Sequence, residues 1–148
     1  MENFVEKVDN SKKLVLDTRN ATLDDKGRIN IPSVFRDTLD EGFIISKHTD
    51  KELNCLLIFT ESEWNRIYEK FKAKPNKQFT KAMRFLEASK IIPKQGRFVV
   101  PARLREYADL EDDLIVIGMG DTAEVWSKQE KERYENEDND VGEILDDV

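Results

Sequence analysis

Four basic residues gather around two glycines: Lys26 and Arg28 on either side of Gly27, Lys94 and Arg97 around Gly96. An arginine can bridge phosphates or pair bidentately with guanine, whereas a lysine acts mainly as a point charge. A single exposed arginine is ordinarily just solvated, but this one recurs in a pattern. Gly-Arg, three further residues and Pro stand at Gly27-Arg28-Ile29-Asn30-Ile31-Pro32 and again at Gly96-Arg97-Phe98-Val99-Val100-Pro101, followed in step by Arg36 and Arg105. All four positions repeat 69 residues apart without a gap, so the chain is an internal duplication.

Other chemistries find little footing. The single His48 lies in a polar loop with no Cys or Ser partner suggested by its spacing, and neither a phosphate-binding glycine loop nor a metal-ligand cluster is present in the sequence. Cys55 stands alone, which excludes an intrachain disulfide. Within Leu53-Asn54-Cys55-Leu56-Leu57-Ile58-Phe59 it reads as a packed strand residue. No enzyme, metal, cofactor or small-molecule substrate is expected.

The elements that must hold the basic residues follow from local chemistry. Gly27 and Gly96 can take the positive φ of a hairpin turn. Arg28–Ile31 and Arg97–Val100 read as short strands, and Pro32 and Pro101 end them and suit the first turn of a helix over 33–39 and 102–107. Each copy is strand, turn, strand, short helix. A unit so small cannot bury a core alone, so its duplicate is its packing partner in one pseudo-symmetric α+β domain. Leu14–Leu16 through Ala21–Leu23 gives the first strand region; Phe43–Ser46, Leu56–Phe59, Leu114–Ile117 and Ala123–Trp126 read as further strands. Thr60-Glu61-Ser62-Glu63 and Ser127-Lys128-Gln129-Glu130 are capping boxes that open helices. Trp64, Ile67, Tyr68 and Phe71 form a stripe for core or oligomer contact, and Phe79, Ala82, Met83 and Leu86 mark a second connecting helix after Pro75.

Taken in order, these motifs resemble the MraZ family of transcriptional regulators, whose chain carries two copies of the AbrB/SpoVT-type swapped-hairpin unit. Its carriers are Leu23–Pro32, Cys55–Phe59 leading to Glu63-Trp64, Gly96–Pro101, Leu104–Leu110 and Ala123–Trp126. The resemblance implies a swapped-hairpin, double-psi-like β-barrel with connector helices. It divides the chain into a leader over 1–19, a first repeat over 20–66, a helical connector over 67–89, a second repeat over 90–134 and a tail over 135–148. The family's hairpin signature, Asp then three residues then Arg, is met by Asp24 and Arg28; in the second copy Pro93 occupies the Asp position. The resemblance places Lys26, Arg28, Lys94 and Arg97 at a DNA-facing hairpin. Asp24, repelled by phosphate, has a structural role with Gly27 and Gly96.

The net charge of −7 and pI near 4.9 argue against a nucleic-acid partner until their distribution is considered. Residues 135–148 carry seven acids and no base, leaving 24 bases and 24 acids in the rest of the chain. Between Arg66 and Arg105 twelve bases face only Glu69 and Glu87, a footprint suited to phosphate. The acidic tail is expected to be disordered and to compete for that basic surface. No apolar run approaches the roughly 20 residues of a membrane span, and Met1–Lys7 lacks the features of a signal peptide. A cytoplasmic protein is expected. The resemblance implies nucleoid association and a sequence-specific regulator that binds short repeats upstream of the bacterial division and cell wall gene cluster. It would act as a homo-oligomeric ring. The alternative is a ring-forming interaction scaffold with little DNA readout.

Overall fold

A computed structural model describes residues 12–137 and 141–148. The described residues form eight strands and six helices. The first repeat opens with β1 (Thr18–Thr22), β2 (Arg28–Asn30) and the short helix α1 (Ser33–Leu39), then β3 (Phe43–Lys47) and β4 (Leu56–Phe59). Helices α2 (Glu61–Lys72) and α3 (Asn76–Leu86) connect it to β5 (Ser89–Ile91), β6 (Arg97–Val99), α4 (Ala102–Tyr107), β7 (Asp113–Gly118) and β8 (Thr122–Ser127). Two further helices, α5 (Lys128–Glu137) and α6 (Val141–Asp146), end the chain.

The strands exchange partners between the repeats. All pairings are antiparallel, giving a six-stranded sheet in the order β1-β7-β8-β4-β3-β5 and a separate two-stranded ribbon, β2-β6. The opening strand of each repeat thus pairs with a later strand of the other, β1 with β7 and β5 with β3. In the ribbon, Arg28 faces Val99, Ile29 faces Phe98 and Asn30 faces Arg97. This ladder maps onto itself when the two repeats are interchanged, because Ile29 and Phe98 are themselves equivalent positions.

The α+β class matches the sequence expectation, but the described residues form no closed barrel. The reason lies in the ribbon strands. Each is three residues long, bounded by a glycine turn on one side and a proline on the other, and the proline can donate nothing to extend the ladder. The large sheet therefore stays open, with β1 and β5 at its edges.

Alternation along the ribbon sets its two faces. Ile29 and Phe98 are 2% and 6% exposed, and the Phe98 ring meets Phe43 edge-on at 5.1 Å. Around them Ile31, Phe35, Leu39, Ile45, Leu56, Val100, Leu104 and Val125 complete the core. A smaller cluster of Ile44, Leu57 and Phe59 is covered by Trp64 and Ile67 of α2. Tyr68 continues the stripe onto Phe79 of α3, with ring centroids 5.6 Å apart. Much of the stripe is thus satisfied within the chain. At the start of α2 the Thr60 hydroxyl accepts from the Glu63 amide at 3.2 Å, but the Glu63 carboxylate turns to Arg66 and so the capping box is only half made.

Leu14, assigned to the leader, is buried, and its amide donates to the Gly120 carbonyl at 2.7 Å. Residues 1–11 and 138–140 lie outside the described residues. The tail expected to be disordered has helix on both sides of that gap, and α6 leaves Val141, Ile144 and Leu145 exposed.

The two ribbon faces differ in their expected cost of truncation. Phe98→Ala should destabilise the fold by about 3–5 kcal/mol, while Val99→Ala, on the outer face, should stay within about 0.5 kcal/mol. Denaturant unfolding of the two variants checks this.

Candidate nucleic-acid interface

Both hairpins end on a buried glycine with positive φ, 77° at Gly27 and 74° at Gly96, yet their turns differ. In the first, the Asp24 amide donates to the Arg28 carbonyl at 2.9 Å and the Gly27 amide to the Asp24 carbonyl at 3.0 Å, a three-residue loop with glycine in the left-handed position. In the second, Lys94 and Arg97 exchange both backbone hydrogen bonds across Gln95-Gly96. Gln95 also has positive φ, at 55°, so this is a two-residue type I′ turn. One residue shorter, the second hairpin puts Lys94 opposite its arginine where the first has Asp24. Pro93 is thus not the ladder equivalent of Asp24.

The substitution reverses the local charge. Asp24 Oδ1 accepts from the backbone amides of Lys26 at 2.9 Å and Arg28 at 2.8 Å, while Oδ2 takes the Arg28 Nε–H at 2.7 Å. The Arg28 amide, the Arg28 side chain and the Lys26 amide together hold the Asp24 carboxyl at a pKa of about 2. Arg28 is thereby held through Nε, a bond that does not use its two terminal nitrogens. The side chains of Lys94 and Arg97 have no partner among the described residues.

Arg28, Asn30, Arg97 and Val99 share the outer ribbon face, since residues opposite one another in an antiparallel pair point the same way. Beside it runs a groove of about 700 Å³ lined by Arg28, Lys90, Lys94 and Arg97 with Ile92 and Val99, and no carboxylate lines it. Arg28, Lys94 and Arg97 therefore come together. Lys26 does not join them. It lines a separate depression with Arg105 and with Asp24, Asp25, Glu111 and Asp112, where a phosphate would meet four acids against two bases. Lys90 and Asn30 were not singled out from sequence; Lys90 is visible there only as one of the twelve bases and is paired with Glu61 at 2.8 Å. Asn30 signals itself only by alternation, two residues from Arg28.

The topology also brings together residues that spacing had left apart. His48, Cys55 and Glu124 place ligand-type atoms within 4.8 Å of one another, on β3, β4 and β8 or their ends. The hydrogen bonding argues against a cation there. The Asp50 amide donates to His48 Nδ1 at 2.9 Å, which leaves the ring proton on Nε2, 2.8 Å from Glu124 Oε2. Trp126 Nε1–H donates to the other Glu124 oxygen at 2.8 Å. A metal at Nε2 would drive the proton to Nδ1, against another donor. Burial pushes the Cys55 thiol far above its usual range, and the charges of Glu124 and Asp50 add to this. Burial would also raise Glu124, but the His48 and Trp126 hydrogen bonds outweigh it and hold the carboxylate low. The group is a closed hydrogen-bond cluster.

Comparison with known proteins bears on the duplication. The family described as "MraZ protein, putative antitoxin-like" matches the chain twice, over residues 14–86 and 85–144. A transcriptional regulator MraZ of Thermoanaerobacter sp. (strain X514) is 40% identical over 136 residues, covering 86% of this chain and 93% of the relative. One from Alkaliphilus oremlandii (strain OhILAs) is 42% identical over 125 residues, covering 81% and 85%, and one from Pediococcus pentosaceus is 36% identical over 132 residues, covering 86% and 88%. A duplicated α+β protein with a basic ribbon face is thus similar along most of its length to transcriptional regulators. The chain belongs to the MraZ family. Among the described residues no helix is long and apolar enough to cross a membrane.

The Asp24 carboxyl offers a direct check of the first hairpin. Its pKa lies below the ordinary 3.8, so its contribution to stability is complete above that pH and is lost as pH falls through about 2. In an NMR titration the Asp24 carboxyl should titrate near 2, and in Arg28→Ala it should rise part of the way back, because both backbone donors remain.

Proposed function

We propose that this protein is a sequence-specific DNA-binding regulator and that the β2–β6 ribbon is its reading element. The observation that carries the proposal is the outer ribbon face, with Arg28, Asn30 and Arg97 beside a groove lined by four basic residues, of which Arg28 is paired with Asp24 and Lys90 with Glu61 while Lys94 and Arg97 have no acidic partner among the described residues. A two-stranded ribbon fits the major groove of B-DNA; there an arginine can pair with guanine and an asparagine with adenine. Lys94 and Lys90 would supply phosphate contacts, which give affinity without sequence information. Lys26, surrounded by acids, leaves the proposed site. Its targets are short repeats upstream of the bacterial division and cell wall gene cluster, and its place is the cytoplasm, on the nucleoid. The reciprocal strand pairing is an open form of the swapped-hairpin architecture.

One subunit offers few contacts, so several subunits engaging several repeats would supply the affinity. A head-to-tail contact closes into a ring when its rotation permits, and repeats spaced near one helical turn, about 10 base pairs, would meet successive ribbons on one face. Leu16, 81% exposed, is apolar surface for such a contact.

Arg28→Ala should weaken binding to a DNA fragment selected from a random pool by about 1–3 kcal/mol, and Arg97→Ala by less. Arg28 is held by Asp24 in a fixed direction, whereas Arg97 suits a phosphate. Anisotropy titrations across salt concentrations measure both; identical curves for Arg28→Ala and the parent protein would remove Arg28 from the site.

Light scattering at micromolar concentration should give a discrete oligomer. A monomer would sink the ring and the avidity that depends on it.

A further inference from the structure

The repeats clasp one another at the hairpin glycines. A Cβ placed on Gly27 would lie 1.9 Å from Nη1 and 3.1 Å from Cζ of Arg105. A Cβ placed on Gly96 would lie 2.8 Å from Nε and 2.9 Å from Cζ of Arg36. The two contacts are the same contact, since interchanging the repeats turns Gly27 into Gly96 and Arg105 into Arg36. Each glycine is also gripped through its carbonyl: Val100 N–H donates to Gly27 at 2.9 Å and Ile31 N–H donates to Gly96 at 2.8 Å.

Each arginine therefore lies across the hairpin of the repeat to which it does not belong in sequence. Arg36 is itself anchored, its Nε donating to the Ile31 carbonyl at 2.8 Å. The positive φ favours glycine at both turns, and the guanidinium occupies the space that a Cβ would take. The guanidinium is planar and broad, so it caps the turn where an ammonium would touch at one point.

We infer that Arg105 and Arg36 are positioning residues: Arg105, carried by α4, sets the height and angle of the hairpin that bears Arg28, and Arg36, carried by α1, does the same for the hairpin that bears Arg97. The reading of each hairpin is thereby controlled from the other repeat. This rests on the ribbon being the DNA-reading element, but the packing half of it can be tested without DNA.

The experiment uses the full chain and amide hydrogen exchange followed by NMR. In Arg105→Ala the hydrogen-bonded amides of Gly27 and Arg28 should exchange faster while those of Lys94 and Arg97 stay as in the parent protein; Arg36→Ala should give the reverse. With selected DNA, Arg105→Ala should weaken specific binding about tenfold and relax the same base position as Arg28→Ala. Its log–log salt slope should stay unchanged, because a positioning residue neutralises no phosphate. Unchanged exchange at Gly27, or a salt slope lowered by about one, would overturn the inference, the latter by making Arg105 a phosphate contact. If Arg28→Ala binds DNA as the parent does while the crossed exchange pattern holds, the ribbon reading fails and the clasp stands.

Discussion

The three-residue ladder between β2 and β6 is the constraint on which the rest of the molecule depends. Each strand is bounded by a glycine that must turn and a proline that must stop, so neither can lengthen to gain stability. The ladder is instead stabilised by what it places beneath itself. Burying an isoleucine and a phenylalanine contributes about 1.5–3 kcal/mol each, and a net hydrogen bond about 0.5–1.5 kcal/mol. Those magnitudes are enough to hold a short ribbon that is joined to a core, and too small to hold one that is not. Phe98 links it to Phe43 of the large sheet, and the bonds to Gly27 and Gly96 tie each turn to the other repeat. Two copies in one chain make this pairing intramolecular, at an effective concentration that separate chains would not reach.

How much of this was legible in the sequence follows from the range of each interaction. The constant offset of Gly, Arg, Pro and Arg is a local pattern repeated, and it exposed the duplication and the short elements on either side of each proline. Strand exchange was not readable from periodicity, since β1 with β7 and β5 with β3 pair residues far apart in sequence, as Thr18 with Ile117 and Phe43 with Ile91. The second turn was misaligned for a different reason. Counting back from Gly96 reaches Pro93, but a type I′ turn closes in two residues and so sets Lys94 opposite Arg97; only the positive φ of Gln95, unusual for a residue with a side chain, makes this visible. The His48–Glu124 contact, 76 residues apart in sequence, has no local signature at all.

The charge pattern acquires meaning only once folded. A chain of net charge −7 has little attraction for DNA as a whole, so its electrostatics must act through a local field. The fold supplies one by sorting: Arg28, Lys90, Lys94 and Arg97 line one groove, whereas in another depression Asp24, Asp25, Glu111 and Asp112 outnumber Lys26 and Arg105. At physiological salt, exposed charges act over about 8 Å, so such sorting decides what a nearby phosphate experiences.

The duplication also carries a built-in inequality. Asp24 orders Arg28 before any ligand arrives, so binding through its terminal nitrogens need not freeze a free side chain, a cost of about 0.5–1.5 kcal/mol for each side chain immobilised. The equivalent ladder position in the second repeat is Lys94, whose charge repels Arg97 rather than holding it. An arrangement held in direction suits discrimination between bases, while two unpaired cations suit phosphates, whose contacts tolerate a range of geometries. On the proposed reading, one residue removed from a turn is enough to make one copy of the unit a reader and the other a clamp, each hairpin lying against an arginine of the other repeat.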